Sequence, residues 1–167
     1  DLTQVQGLNQ TQIGGLTATQ LKGLSSTDFA ELSSTQVGEL TASQLGALSA
    51  TNFSSLDQTE VQALSNTQLG GVTATQLKGL STTDVGEFAD TQIGALTGTQ
   101  LAALSSTNVS ALDQTQVAAL TSTQLKSLTA TQLKGLSTTD IGELADTQVA
   151  ALTPSQIGAL TSTAVSA

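Results

Sequence analysis

The sequence predicts an all-α solenoid, a superhelix of very short capped helices with one helix in each eight-residue repeat. Three observations predict it. The chain of 167 residues keeps one octad register from Asp1 to Ala167, two positions of the octad are apolar, and a helix-capping pattern surrounds them. Repeats at a fixed short period are typical of solenoids, whose units bury their apolar faces only by stacking on one another.

The two apolar positions define the octad. Counted from Asp1, position 5 is apolar in all 21 copies, and position 8 is Leu in 18 of 20, with Val72 and Phe88 as the exceptions. Position 3 is Thr or Ser, and position 4 is Gln in 14 copies. Position 1 is Ser, Thr, Asp or Asn except at Ala89 and Ala145. The hydrophobic fraction of 38% is therefore concentrated where a core can form.

The polar positions predict how each helix begins and ends. A hydroxyl, Asp or Asn at position 1 is a good N-cap, and Gln or an acid at position 4 completes a capping box. The apolar residues at positions 8 and 5 then form a hydrophobic staple across the cap. The only proline, Pro154, falls at the first helical position, which favours proline. The glycines of positions 6 and 7 are expected to release the chain from the helix.

Two other secondary structures were weighed against this pattern. A continuous helix advances about 100° per residue, so the apolar positions drift by about 80° per octad and form no stripe. The alternative that remains open is a β-solenoid, because Thr and β-branched residues favour strands. Against it, the apolar spacings of three and five residues are odd and place positions 5 and 8 on opposite faces of a strand.

A slower period indicates how the chain is organised. The octad T-A-T-Q-L-K-G-L recurs at 17–24, 73–80 and 129–136, a step of 56 residues or seven octads. We therefore predict one solenoid domain over 1–167, made of seven-octad blocks at 17–72, 73–128 and a partial 129–167, with 1–16 ending a preceding block. Three and a half octads per coil would return in phase after two turns of one block.

Composition excludes several function classes. The net charge is −9, so a nucleic-acid partner is not expected, because binding to phosphate needs a basic surface. No apolar run reaches the roughly 20 residues of a membrane-spanning helix. Cysteine is absent, which excludes a disulfide framework. The chain starts at Asp1, from which we expect a processed chain or a piece of a longer one.

No enzyme active site is predicted. The chain has no His to activate its many hydroxyl groups, and hydroxyls that recur in every octad are typical of structural residues. The sites therefore include no catalytic and no cofactor-binding residues. Acidic residues spaced by three recur once per block and are weak candidates for calcium, which binds several carboxylate oxygens. These candidates are Asp84, Glu87, Asp90, Asp140, Glu143 and Asp146. Capping of helix N-termini explains most of them equally well.

The units T-A-T-Q-L-K-G-L, S-T-T-D-I-G-E-L and L-T-P-S-Q-I-G-A-L resemble the Thr/Gln/Leu-rich octapeptide tandem repeats of large secreted, adhesin-like bacterial surface proteins. The resemblance covers the whole chain and is compositional. It implies an extracellular or cell-surface location and a spacer or surface-layer role. The G-G-x-G-x-D calcium repeat that accompanies such proteins is missing here, as is the Gly-Tyr-Gly-Ser signature of ice-nucleation octads.

The sequence thus predicts a structural repeat segment of a secreted bacterial surface or filament protein that self-associates through stacked repeats. The alternative is a binding solenoid for ice, a glycan or calcium, which uses a face of Thr and Gln with position 3 as the ligand row. Self-association is favoured because repeat arrays without polar terminal caps leave apolar surface open at their ends.

Overall fold

The computed structural model describes residues 6–160. All regular structure in this part of the chain is helical, which confirms the predicted all-α solenoid and rules out the β-solenoid. Each octad forms one helix of four to six residues. The helices are α1 (Gln10–Gly14), α2 (Ala18–Gly23), α3 (Ser26–Phe29), α4 (Ser34–Gly38), α5 (Ala42–Ala47), α6 (Ala50–Ser54), α7 (Gln58–Ala63), α8 (Asn66–Leu69), α9 (Ala74–Lys78), α10 (Thr82–Gly86), α11 (Asp90–Ala95), α12 (Gly98–Ala103), α13 (Ser106–Ser110), α14 (Gln114–Ala119), α15 (Ser122–Ser127), α16 (Ala130–Gly135), α17 (Thr138–Gly142), α18 (Asp146–Val149) and α19 (Pro154–Ile157).

The capping box at positions 1 and 4 starts these helices as predicted. In α15, Gln124 N–H donates to Thr121 Oγ1 at 3.2 Å, and Thr121 N–H donates to Gln124 Oε1 at 2.7 Å. Each box satisfies two of the main-chain donors that the first helical turn leaves unpaired. Ala89 and Ala145 lack the side-chain cap, but their N–H groups still donate to the glutamine at position 4.

The prediction that glycine ends the helices is wrong. No residue of the described chain, glycine included, has a positive φ. Each helix closes instead through a tight hydrogen bond from the position-8 N–H to the position-5 carbonyl, such as Leu96 to Ile93 at 3.2 Å. The position-8 residue is then extended, with φ −60° and ψ 140° at Leu96, and carries the chain into the next N-cap.

The spacing of contacts defines the coil. The helices that contact one another most are three apart along the chain, as for α11 with α14 and α13 with α16. Side chains at position 4 hydrogen-bond to main chain 28 and 31 residues earlier, so one coil of the superhelix takes about 28 residues. That length is three and a half octads, and two such coils equal the 56-residue sequence step. The block boundaries themselves stay a prediction.

Positions 5 and 8 together form one continuous core. Leu45, Leu77, Leu101 and their equivalents at position 5 are fully buried, and position 8 is buried from Leu32 to Leu136. The three phenylalanines, Phe29, Phe53 and Phe88, lie in this core as predicted. Because no octad can bury both apolar side chains alone, the helices depend on the coils above and below for their stability.

Some glycines are required where two coils touch, rather than at helix ends. A Cβ on Gly71 would overlap the main chain of Ala42 in the preceding coil, and one on Gly46 would meet the carbonyl of Gly71. By contrast, nothing lies within 4 Å of the Cβ position of Gly86. Glycine therefore serves close backbone approach between coils at the first pair, which is one of its ordinary uses.

Candidate functional site

The main polar feature of the interior is a ladder of amide side chains at position 4. The amide of Gln124 is an example: its Oε1 caps α15, and its Nε2 donates to the carbonyls of Ile93 at 2.9 Å and Leu96 at 2.8 Å in the preceding coil. We call each such side chain a rung. The rungs with one or both of these inter-coil bonds are Gln36, Gln44, Gln68, Gln76, Gln92, Gln100, Gln116, Gln124, Gln132, Gln148 and Gln156.

Each glutamine rung uses both ends of its amide. The oxygen accepts from the N-cap of its own helix, and the nitrogen supplies donors to carbonyls that a helix C-terminus leaves unpaired. Most rungs are buried, and Gln76 and Gln116 are 1% exposed. A buried amide of this kind stabilises the stack only because both of its polar ends are satisfied.

Two rungs are asparagine and keep one half of the function. Asn52 Nδ2 donates to Leu24 O at 3.0 Å, and Asn108 Nδ2 donates to Leu80 O at 2.9 Å. Their shorter side chains do not return to the N-cap amide, and α6 and α13 lack the full capping box. Asparagine therefore holds neighbouring coils together and gives up part of the cap.

Carboxylates at position 4 keep the other half. Glu60 accepts from Asp57 N–H at 3.0 Å, and Asp84 accepts from Ser81 N–H at 2.8 Å. An ionised carboxylate has no N–H to donate to the preceding coil. At Asp84 the inter-coil hydrogen bond runs in the opposite direction, because the Ser54 hydroxyl donates to the carboxylate, as Ser110 does to Asp140 at 3.0 Å.

The surroundings of these acids shift their pKa values in different directions. Burial acts to raise the pKa of Asp84, but hydrogen bonds from Ser54 and Ser81 outweigh it and leave that pKa below its ordinary value. Burial raises the pKa of Glu87, and the nearby charges of Asp84 and Asp57 raise it further. One carboxylate oxygen of Glu87 is buried without a hydrogen-bond partner, as is one of Glu31, 56 residues earlier.

The structure places the calcium candidates near one another in sequence but gives each a local role. Asp84 and Asp140 are the capping residues of α10 and α17, Glu87 and Glu143 are the C-caps of the same helices. Asp90 begins α11 and accepts from the Thr91 N–H, and Asp146 begins α18. Within residues 6–160, no group of three or more acidic side chains is arranged to hold a metal ion.

The outer surface carries a hydroxyl in every octad. Position 3 is exposed in all described octads, and it is Thr except at Ser43 and Ser155. The predicted face of Thr and Gln is therefore a threonine face, because most of the glutamines lie in the interior. The four lysines, Lys22, Lys78, Lys126 and Lys134, are exposed on the same outer side of the coils.

Grooves between coils are shallow and lined by small residues. One of about 470 Å³ lies among Ala18, Gly46, Ala47, Ser49 and Thr73. An apolar opening of about 580 Å³ lies at the N-terminal end of the core instead, lined by Leu8, Leu16, Leu24 and Leu32. No helix in the described part of the chain has the length and apolarity needed to cross a membrane.

The repeated octad, its capping box and the coil-to-coil ladder define a structural tandem-repeat protein. Residues 130–162, which include α16 to α19, match the family model of the ALTTAQ repeat. A-L-T-x-x-Q stands in this chain at 95–100, 119–124 and 151–156, where it spans the staple leucine, the N-cap threonine and the rung glutamine. Comparisons with curated proteins and with solved structures find no match.

Sequence reasoning found the capping half of the rung but missed the inter-coil half. The signal was present, because Gln is far commoner than Glu at position 4, although either can complete a capping box. Only an amide has a donor left for a neighbouring coil after its oxygen has capped the helix. The preference for Gln over Glu thus indicated a second hydrogen-bond partner.

Proposed function

We propose that this chain is a structural segment of a secreted bacterial surface or filament protein, which self-associates through its stacked repeats. The observation that carries the proposal is the ladder itself. From Gln36 to Gln156, hydrogen bonds join each coil to the one before it, over the same separations of 28 and 31 residues. Such a stack keeps its cross-section while it grows in length, which suits a stalk, sheath or filament.

The chemistry of the chain is consistent with a role outside the cell and without catalysis. The rung and cap side chains serve helix starts and coil contacts in nearly every octad, as structural groups do. With a net charge of −9 and four exposed lysines, the surface repels nucleic acid, so we propose no nucleic-acid partner. The absence of cysteine leaves the fold independent of disulfide formation during export.

Small-angle scattering of the purified chain tests the structural role. We expect a pair-distance distribution with a long tail, typical of a rod, and elongated particles in negative-stain micrographs. A symmetric distribution from a compact sphere would contradict the proposal. The location is tested separately with antibodies against the repeat, which should label intact source cells as strongly as permeabilised ones.

A second candidate function is a binding solenoid that uses its threonine face. The observation that favours it is the exposed hydroxyl at position 3 in every described octad. Thr75, Thr99 and Thr123 replaced together by Val should keep the helical circular dichroism signal. Loss of binding to ice, to a glycan array or to calcium chloride in that variant alone would favour this candidate, and no binding by the unchanged chain would reject it.

A further inference from the structure

The first coil, residues 8–35, presents rungs that have no coil to hold. Gln12 and Gln20 complete their capping boxes, with N-cap N–H to Oε1 distances of 2.9 and 2.8 Å. Their Nε2 groups have no hydrogen-bond partner among the described residues, and both side chains are exposed. In the rest of the ladder the same nitrogen donates to position-8 and position-5 carbonyls of the preceding coil. The first coil therefore offers two free, pre-positioned amide donors.

The same end of the molecule has an open apolar core. Leu8, Leu16 and Leu24 are only partly buried, and with Leu32 they line the opening of about 580 Å³. Position 5 of this coil is already covered, since Ile13 and Leu21 are 0% exposed. The N-terminal end therefore lacks partners for its position-8 leucines alone.

The last described coil, residues 133–160, has the opposite deficit. Its position-5 residues are the uncovered ones: Ile157 is 37% exposed, and Ile141 and Val149 are partly exposed. Among the described residues, no donor reaches the carbonyl oxygens of Leu144 and Leu152, whereas the equivalent carbonyls of Leu120 and Leu128 accept from rungs. This end offers acceptors and position-5 side chains, which are what the first coil lacks.

We propose that the first coil of one copy docks on the last coil of a second copy, head to tail. Gln12 and Gln20 of one copy donate to position-8 carbonyls of the other, and Leu8, Leu16 and Leu24 cover the exposed position-5 side chains. The contact repeats the one made between coils within the chain. The inference rests on the proposed self-association and specifies its surface.

The polarity of the two ends determines what assembles. Two first coils face each other with donors against donors, and two last coils face with acceptors against acceptors, so neither symmetric dimer is satisfied. A head-to-tail contact between unlike surfaces leaves one free end of each kind and does not close on itself. Association of this kind adds copies along the superhelix axis and produces an open filament.

A head-blocked variant tests the donors without disturbing the fold. Gln12→Glu with Gln20→Glu keeps the oxygen that caps the helix, as Glu60 does naturally, but removes the donor and places charge against carbonyls. The matched control is Gln10→Glu with Ala18→Glu, which adds equal charge at the position where Asp90 and Asp146 stand. By sedimentation velocity, we expect association of the blocked variant to be at least about 100-fold weaker and that of the control to change little.

A tail-blocked variant, Ile157→Glu, makes the test directional. It removes the most exposed apolar side chain of the last coil and leaves the first coil intact. Each blocked variant alone should be monomeric, whereas an equimolar mixture should form a dimer of one copy of each, which cannot grow further. Circular dichroism of each variant establishes that its helices are retained before association is measured.

The outcomes separate this inference from the proposed function. If the unchanged chain associates and the blocked variants do so equally well, the end-on contact is wrong, while self-association through another surface stands. If the unchanged chain is monomeric at every concentration, both the contact and the self-association are wrong. A mixture of the two blocked variants that grows beyond a dimer also overturns the head-to-tail arrangement.

Discussion

The rung at Gln124 and the rung at Asp84 occupy the same place in the octad and connect their coils in opposite ways. Gln124 caps its own helix and donates two hydrogen bonds to the preceding coil, whereas Asp84 caps its helix and accepts one from Ser54. The first side chain is 4% exposed, and the second lies nearer solvent. The difference shows that capping fixes the need for an oxygen at position 4, and that the coil below fixes the need for a donor.

The largest expected effect comes from changing the Gln124 rung into an acid. Gln124→Glu keeps the cap but places a buried carboxylate against the carbonyls of Ile93 and Leu96. We expect a loss of about 3–5 kcal/mol in the free energy of unfolding at pH 7, as for other unpaired buried charges. Urea denaturation measures it, and Gln20→Glu in the exposed first coil is the control that should lose less than about 1 kcal/mol. Equal losses in the two variants would contradict the inter-coil role of the rung.

An apolar rung should cost somewhat less. Gln124→Leu removes the cap acceptor and both donors, so Thr121 N–H and Leu96 O lose their partners in the interior. We expect a loss of about 2–4 kcal/mol from these unsatisfied groups. Gln20→Leu loses only the capping bond and should cost about 1 kcal/mol. If thermal or urea unfolding gave the same cost at both sites, the buried hydrogen bonds of the ladder would have no measurable value.

The reversed hydrogen bond at Asp84 can be removed on its own. Ser54→Ala deletes the hydroxyl that donates to this carboxylate and leaves the capping box with Ser81 in place. The pKa of Asp84 should rise, because Ser54 is the largest of the groups that lower it. We expect a loss of about 1 kcal/mol at pH 7, discounted for solvent exposure. Ser122→Ala on the exposed face of α15 is the matched control, and an unchanged Asp84 titration by NMR would contradict the contact.

The smallest effect concerns pH and separates the acids of raised pKa from those of lowered pKa. Glu60 and Glu87 have raised pKa values, so the stability that each contributes is present below its ordinary pKa of 4.5 and is lost as pH rises through its folded value. Asp84 and Asp113 have lowered pKa values, and their contributions are lost only when pH falls through those values. The urea midpoint should therefore increase modestly between pH 7 and about pH 5 and decrease in stronger acid. Glu87→Gln should flatten the first change, and a midpoint that falls steadily from pH 7 would contradict this assignment.

Much of the fold was accessible from the sequence, because its determinants are local. The cap at Thr121, the acceptor at Gln124 and the staple across them lie within a few residues of one another, so a single octad predicts its own helix. The partners of Gln124 Nε2 are 28 and 31 residues away, and no local pattern specifies which coil supplies them. The duplication step made a coil of three and a half octads one arithmetic possibility, and hydrogen-bond separations were needed to select it.

The glycine prediction failed for a related reason. Gly at positions 6 and 7 resembles the usual helix C-terminal signal. In this fold, however, Leu96 and its equivalents end the helix with an extended backbone, and Gly71 is needed because Ala42 of another coil lies against it. A requirement that arises between coils cannot be distinguished, within one octad, from a requirement that arises at a helix end.

The length of one coil has a consequence for how such a chain can change over generations. Insertion or deletion of one octad rotates everything after it by about two-sevenths of a turn, so carboxylate rungs such as Asp84 move away from hydroxyls such as Ser54. Gain or loss of a whole 56-residue unit is two complete turns, and every side chain keeps its neighbour across the seam. Slippage during DNA replication in steps of that size could therefore lengthen or shorten the protein while both of its end faces stay the same.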